Sequence, residues 1–188
     1  MRVGVITFPG SNCDHDCYHV AKHVLDADAE FLWYNKRQNL DYLDCIIIPG
    51  GFSYGDYLRP GAIAKIAPIM EDVQDFAEKG KLVIGICNGF QILTESGLLP
   101  GMLMRNDSLK FICKYINLKV ENTETPFTSK YKDKDTISMP IAHADGNYYC
   151  DAATLEELKK NSQIVFRYAS PKGEVNPENN PNGSVENI

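Results

Sequence analysis

At 188 residues, with 44% hydrophobic and 23% charged residues, the chain has the composition of an ordinary folded domain and the length to bury a sizeable core. A net charge of −6 without any basic run argues against a nucleic-acid partner, and no apolar stretch approaches the ~18 residues that span a bilayer. "RVGVITF" behind Met1 is too short for the apolar part of a secretion signal, so the chain is expected to be cytoplasmic, with its six cysteines (13, 17, 45, 87, 113 and 150) mostly reduced.

In chain order, residues 2–8 form an apolar run rich in β-branched residues and predict a strand. Residues 14–26 predict a helix capped by Asn12 or Asp14, and "EFLWY" (30–34) and "CIIIP" (45–49) predict two further strands. Ile63, Ile66, Met70, Val73 and Ala77 recur at helical spacing up to Gly80, with Pro68 kinking or restarting that helix. "LVIGI" (82–86) predicts another strand, followed by a helix to about Gly97. Strands apolar on both faces and separated by helices imply an α/β fold with a doubly wound, mostly parallel sheet covered by helices on both sides.

From Leu109 the texture changes. "SLKFICKYINLKVEN" and "ISMPIAHADGNYYC" predict strands without intervening helices, around a polar loop at 121–136, so an antiparallel portion is expected after residue 105. A short helix at 154–161 and a strand in "QIVFRYA" follow. With no boundary visible, one domain over 1–188 is expected. Residues 171–188 carry three prolines and five asparagines, a loop composition that reads as the approach to a strand beyond Ile188. The domain is thus expected to be C-terminally truncated.

Two stretches carry candidate chemistry. In "KLVIGICNGFQILTESG" (81–97), Cys87 falls at the joint of a predicted strand and helix, with Gly85 and Gly89 two residues to either side. A nucleophile on such a joint is held in a strained backbone conformation that tolerates no bulky neighbours. The helix N-terminus behind it is expected to favour the thiolate. In "IIIPGGFSYGDYLRPGA" (46–62), Gly50, Gly51 and Gly55 form a loop able to bring bare backbone N–H groups to a developing oxyanion. A third stretch, "NCDHDCYHVAKH", sets His15, His19 and His23 on one helical stripe beside Cys13 and Cys17. Such spacing can hold zinc, but without an acidic second shell it reads as a solvated face, and no metal is expected.

"GICNGFQ" resembles the nucleophile motif of class I glutamine amidotransferases. "FPGSNCDHD", "PGGFSYGDYLRPGAIA", "GICNGFQIL", "PIAHADGNYY" and "NPNGSVENI" are similar to segments of one branch, the glutaminase subunit of phosphoribosylformylglycinamidine synthase, so the resemblance covers nearly the whole chain. It implies that Cys87 attacks the side-chain amide of L-glutamine, that the N–H groups of Gly51 and Asn88 hold the oxyanion, and that Gln91 contacts bound glutamine. It implies no cofactor in this subunit. ATP and Mg would be used by a large partner synthetase, which receives the ammonia and docks around the Cys87 cleft near the 52–60 loop; some members add a third small subunit. The family's base lies in a Pro-His-Pro-Glu segment that has no counterpart up to Ile188, while His143, in "PIAHADGNYY", reads as a structural histidine. A non-catalytic docking or regulatory module of the same fold is the alternative. Another cysteine-elbow hydrolase is disfavoured by Gln91 and the glycine loop.

Overall fold

Strand β1 (Arg2–Thr7) is built of alternating branched residues, and its two faces serve two different cores. Val3 and Val5 pack with Cys17, Ala21, Ala27, Ala29 and Cys45. Ile6 points the other way, into a larger cluster with Leu32, Ile46, Ile48, Ile69, Val73, Phe76 and Ile92. A strand buried on both faces belongs inside a parallel sheet, and β1 lies between β2 (Asp28–Trp33) and β3 (Cys45–Ile48), parallel to both. Strand β4 (Leu82–Gly85) extends the sheet on the far side of β3, giving the order β2-β1-β3-β4.

The computed structural model describes residues 1–133 and 135–188, which form two compact units, Met1–Leu99 and Pro100–Ile188. In the first, helix α1 (Asp14–His19) runs directly into a wider π-type turn at Val20–Val24. The anticipated cap is different: Cys13 holds the cap position, while buried Asp14 accepts hydrogen bonds from the Thr7 hydroxyl (3.0 Å) and the His15 N–H (2.9 Å). Pro68 restarts the chain after a short 3₁₀ turn at Ala64–Ile66 and stands at the head of α2 (Pro68–Glu78), where its missing N–H costs nothing. Helix α3 (Asn88–Glu95) follows β4.

The second unit holds two antiparallel sheets. Strand β6 (Ile112–Val120) pairs with β7 (Thr136–His143) and β9 (Phe166–Ala169). Strand β5 (Met102–Met104), which the sequence pattern did not reveal, pairs with β8 (Asn147–Tyr149). Helix α4 (Ala152–Lys160) is capped by Asp151, whose carboxylate accepts from the Thr154 N–H at 2.8 Å. Among the described residues no helix is long and apolar enough to cross a membrane.

Candidate active site at the β4–α3 elbow

In a parallel sheet, ligands gather at the carboxyl ends of the strands where the strand order reverses. Here the reversal lies between β1 and β3, and the loops leaving them meet. Phe52 and Tyr54 donate backbone N–H bonds to Gly10 and Pro9 (2.9 and 2.6 Å), and Cys13 donates to the Gly50 carbonyl (3.3 Å). Gly51 is fixed by this meeting. It has φ +125°, and an added Cβ would overlap the Asn12 nitrogen.

Cys87 stands beside that junction. The Ile86 N–H still donates to the Ile48 carbonyl (3.0 Å), the last step of sheet pairing. The chain then turns through Cys87 at φ 52°, ψ −108°, a conformation a non-glycine residue adopts only under strain. Helix α3 begins at once, with the Phe90 and Gln91 N–H groups donating to the Cys87 carbonyl (2.9 and 3.2 Å). The flanking glycines have a more local reason than relief of that strain. An added Cβ at Gly89 would overlap the Ile48 carbonyl oxygen, and one at Gly85 would sit 2.5 Å from the Gly89 carbonyl. Both glycines let α3 rest directly on the backbone of β3 and β4.

The residues singled out in the sequence converge. Gly50, the neighbour of Gly51, offers a bare Cα between two sulfur-bearing side chains: a Cβ there would stand 3.4 Å from Cys87 Cβ and 3.6 Å from Cys13 Sγ. The Asn88 N–H donates to the Cys87 thiol. Neither it nor the Gly51 N–H takes part in a backbone hydrogen bond among the described residues. Gln91 lies one helical turn on and is buried.

The side chain of Asn88 has a part that the sequence did not suggest. Only 1% exposed, it accepts from the Ser53 N–H (3.0 Å) and donates through Nδ2 to both Asp56 Oδ1 (3.2 Å) and Gln91 Oε1 (3.0 Å). One amide thus ties the glycine-rich loop, the elbow and Gln91 into a single unit. The far end of the loop is tied as well: Arg59 makes a two-pronged ion pair with half-buried Glu95 (2.5 and 2.8 Å), joined by Lys65 at 3.5 Å. A buried asparagine in the first turn of a helix was the available clue to this arrangement, since its amide must find partners.

The electrostatics reverse one expectation. Crowding by the protein raises the Cys87 pKa above the ordinary 9.0, and the neighbouring Cys13 and Asp56 push the same way, against the one N–H bond from Asn88. The Cys87 side chain is exposed, yet the protein packed around its sulfur and the neighbouring Asp56 tip the resting nucleophile candidate towards the thiol. Alkylation of Cys87 by iodoacetamide is therefore expected to be slow at pH 7 and to keep accelerating above pH 9.0, as mass spectrometry of the labelled peptide would follow. A plateau reached below pH 8 would contradict this. Buried Cys17 and Cys45 are held higher still, at about 11 in each case, chiefly by desolvation.

The histidines take other places. The His15 ring lies 4.9 Å from that of Phe31, whereas His19 and His23 face each other at 5.1 Å, so the stripe is divided. No group of three metal-binding side chains occurs among the described residues. In the second unit, the Nδ1 of His143 donates to Asn106 Oδ1 (3.1 Å), which also accepts from the Gly146 N–H (3.1 Å). That obligate donor fixes the Asn106 oxygen as acceptor and so sets the neutral His143 tautomer with its proton on Nδ1. Burial lowers the His143 pKa, in keeping with a neutral structural ring.

Known proteins resemble the chain over its whole length. The profile of the CobB/CobQ-like glutamine amidotransferase domain matches residues 1–188. The chain is 59% identical over 188 residues to the phosphoribosylformylglycinamidine synthase subunit PurQ of Koribacter versatilis, covering 100% of this chain and 81% of that relative. Identity to the same subunit from Moorella thermoacetica is 58%, covering 100% and 79%. Among solved structures, PurLQS from Thermotoga maritima superposes with a TM-score of 0.84 at 43% identity, covering 100% of this chain and 79% of that one. The glutaminase domain of Trypanosoma brucei CTPS, at 13% identity and a TM-score of 0.57 over 93% of this chain and 77% of that one, shares the fold.

Proposed function

The chain belongs to the CobB/CobQ-like glutamine amidotransferase family, and within it to the PurQ subunits of phosphoribosylformylglycinamidine synthase; from that premise we propose that Cys87 is the nucleophile of a glutaminase that supplies ammonia to a synthetase. The observation that carries the reading is the strained Cys87 turn between β4 and α3, with the Asn88 N–H on its sulfur. Strain of this kind, ~1–3 kcal/mol per residue, persists where surrounding structure holds a residue for a purpose.

In the proposed reaction the thiol first gives up its proton to a base. The thiolate attacks the side-chain amide carbon of L-glutamine, and the oxygen takes the negative charge, facing the N–H groups of Gly51 and Asn88. The carbon–nitrogen bond then breaks, the nitrogen is protonated, and ammonia leaves a γ-glutamyl thioester on Cys87. Water attacks the thioester, releasing glutamate and the free thiol. Gln91, held by Asn88, contacts the bound glutamine. No cofactor enters this half of the reaction. ATP and Mg would serve the partner synthetase, which takes up the ammonia to make formylglycinamidine ribonucleotide in purine synthesis, with a third small subunit in some assemblies. The raised Cys87 pKa fits this division of labour, because a thiol that is not self-activated spends no glutamine until a base and a partner are in place.

The same raised pKa also suits a second reading, a docking or regulatory module without turnover. One experiment separates them. An electrophilic glutamine analogue is expected to modify Cys87 ahead of Cys113, although both are exposed, with L-glutamine protecting Cys87 alone. Equal modification of both cysteines, indifferent to L-glutamine, would favour the docking module.

A further inference from the structure

We propose that the side-chain amide of Asn88 is a positioning group for the glutaminase, holding the Gly51 N–H in register with Cys87 through the backbone of Ser53. The inference rests on the glutaminase reading above, in which the Gly51 and Asn88 N–H groups share the oxyanion. It gives the side chain of Asn88 a task separate from that of its main chain.

The two donors come from segments far apart in the chain. The Asn88 N–H stands at the head of α3, on the elbow itself. The Gly51 N–H belongs to a loop, and its place depends on how the next residues are tied. Three successive N–H groups do the tying, and they alternate in direction. Phe52 and Tyr54 donate to the Gly10 and Pro9 carbonyls (2.9 and 2.6 Å), whereas Ser53 donates to Asn88 Oδ1 (3.0 Å). The first two bonds fasten the loop to the chain that follows β1. Of the three, the Ser53 bond alone fastens it to the segment that carries Cys87.

The orientation of this side chain is set by an obligate donor. A backbone N–H can only donate, so the Ser53 bond turns the Asn88 oxygen to the loop and leaves Nδ2 for Asp56 Oδ1 and Gln91 Oε1 (3.2 and 3.0 Å). At 1% exposure the residue has no water to take the place of a lost partner. An oxyanion hole works only while its donors stand about 2.7–3.1 Å from the oxygen on which charge develops. Loss of the Ser53 bond therefore loosens one wall of the hole, while the Asn88 N–H on the other wall remains. A hole loosened in this way fails mainly in the transition state, so the effect falls on the chemical step. The bond to Gln91, by contrast, bears on the binding of glutamine.

The test is the modification of Cys87 by a glutamine analogue with a chloromethyl ketone in place of its amide, followed by mass spectrometry. Addition of the thiolate to the ketone places negative charge on the oxygen before sulfur displaces chloride. Saturation kinetics yield a binding constant and a maximal rate. Iodoacetamide, which loses iodide without forming an oxyanion, calibrates the thiol of each variant. In Asn88→Ala the maximal rate, relative to iodoacetamide, is expected to fall roughly 10–100-fold. Asn88→Asp keeps an oxygen for the Ser53 N–H, but its carboxylate cannot donate to Gln91. It is expected to restore the relative maximal rate to within about threefold of the parent, with binding of the analogue still weakened. An undiminished relative rate in Asn88→Ala would overturn the proposal, as would an Asn88→Asp variant no faster than Asn88→Ala. Hydrogen exchange of the unaltered protein tests it without a variant: the Ser53 N–H is expected to exchange at least ~100-fold more slowly than an unprotected amide. Exchange of Ser53 at the unprotected rate would overturn the proposal and leave the glutaminase reading intact. Failure of the analogue to prefer Cys87 over Cys113 in the unaltered protein would remove both.

Discussion

Replacing Cys87 with glycine is expected to yield an inactive protein that is more stable than its parent. Glycine enters φ 52°, ψ −108° freely, so the variant recovers the ~1–3 kcal/mol held at the turn, less the ~0.5–1 kcal/mol of extra chain entropy that glycine loses on folding. A net gain of about 1 kcal/mol raises the melting temperature by roughly 2–4 °C in a chain of this size. Glutaminase turnover, measured with the partner synthetase present, should fall by at least ~10³-fold, as in covalent catalysts stripped of their nucleophile. Cys87→Ala is the control, because it removes the sulfur and keeps the Cβ that makes the turn costly. It should lose activity equally and gain no stability. Glycine and alanine variants of equal melting temperature would show that the turn stores no strain.

The largest structural effect is expected at Gly89. The Cβ of Gly89→Ala would overlap the Ile48 carbonyl oxygen, a backbone atom that pairing between β3 and β4 holds in place. Helix α3 would have to lift from the sheet, at a cost at or above the ~3 kcal/mol upper end of overpacking. A fall of roughly 10 °C in melting temperature follows, together with loss of the Cys87 protection by L-glutamine, since Asn88 and Gln91 ride on the same helix. Gly97→Ala provides the contrast. Nothing lies within 4 Å of a Cβ at Gly97, and only its φ of +76° opposes a side chain, so a cost of about 1 kcal/mol is expected. Equal costs at the two positions would mean that the close contact of α3 with Ile48 is not what Gly89 secures.

The elbow could be read from sequence because its cause is local. A strand of branched residues, a cysteine framed by glycines and a helix-forming run lie within seventeen residues, and periodicity reports them directly. Pro68 was legible for the same reason, as one residue with one steric consequence. The part played by Asn88 was not, since its partners Ser53 and Asp56 lie 35 and 32 residues away and no local pattern pairs them. The sign of the Cys87 pKa shift was missed on similar grounds. The helix start behind the cysteine is visible in the sequence, whereas the crowding around its thiol and the proximity of Cys13 and Asp56 exist only after β1, β3 and β4 have come together. In the second unit, β5 escaped notice because three residues are too few to display an alternation.

Main chain lies close to the Cys87 side chain: the bare Cα of Gly50 faces its Cβ, and the Asn88 N–H donates to its sulfur. Main-chain atoms are common to all residues, so the identities of Ile48 and Ile86 can drift among residues of similar shape without altering what lies against the thiol. The burden of invariance falls instead on the positions that have no side chain. Random mutagenesis of unit Met1–Leu99 should accordingly show a sparse map of intolerance, with Gly51, Gly85 and Gly89 refusing every replacement while the apolar residues beside them accept several.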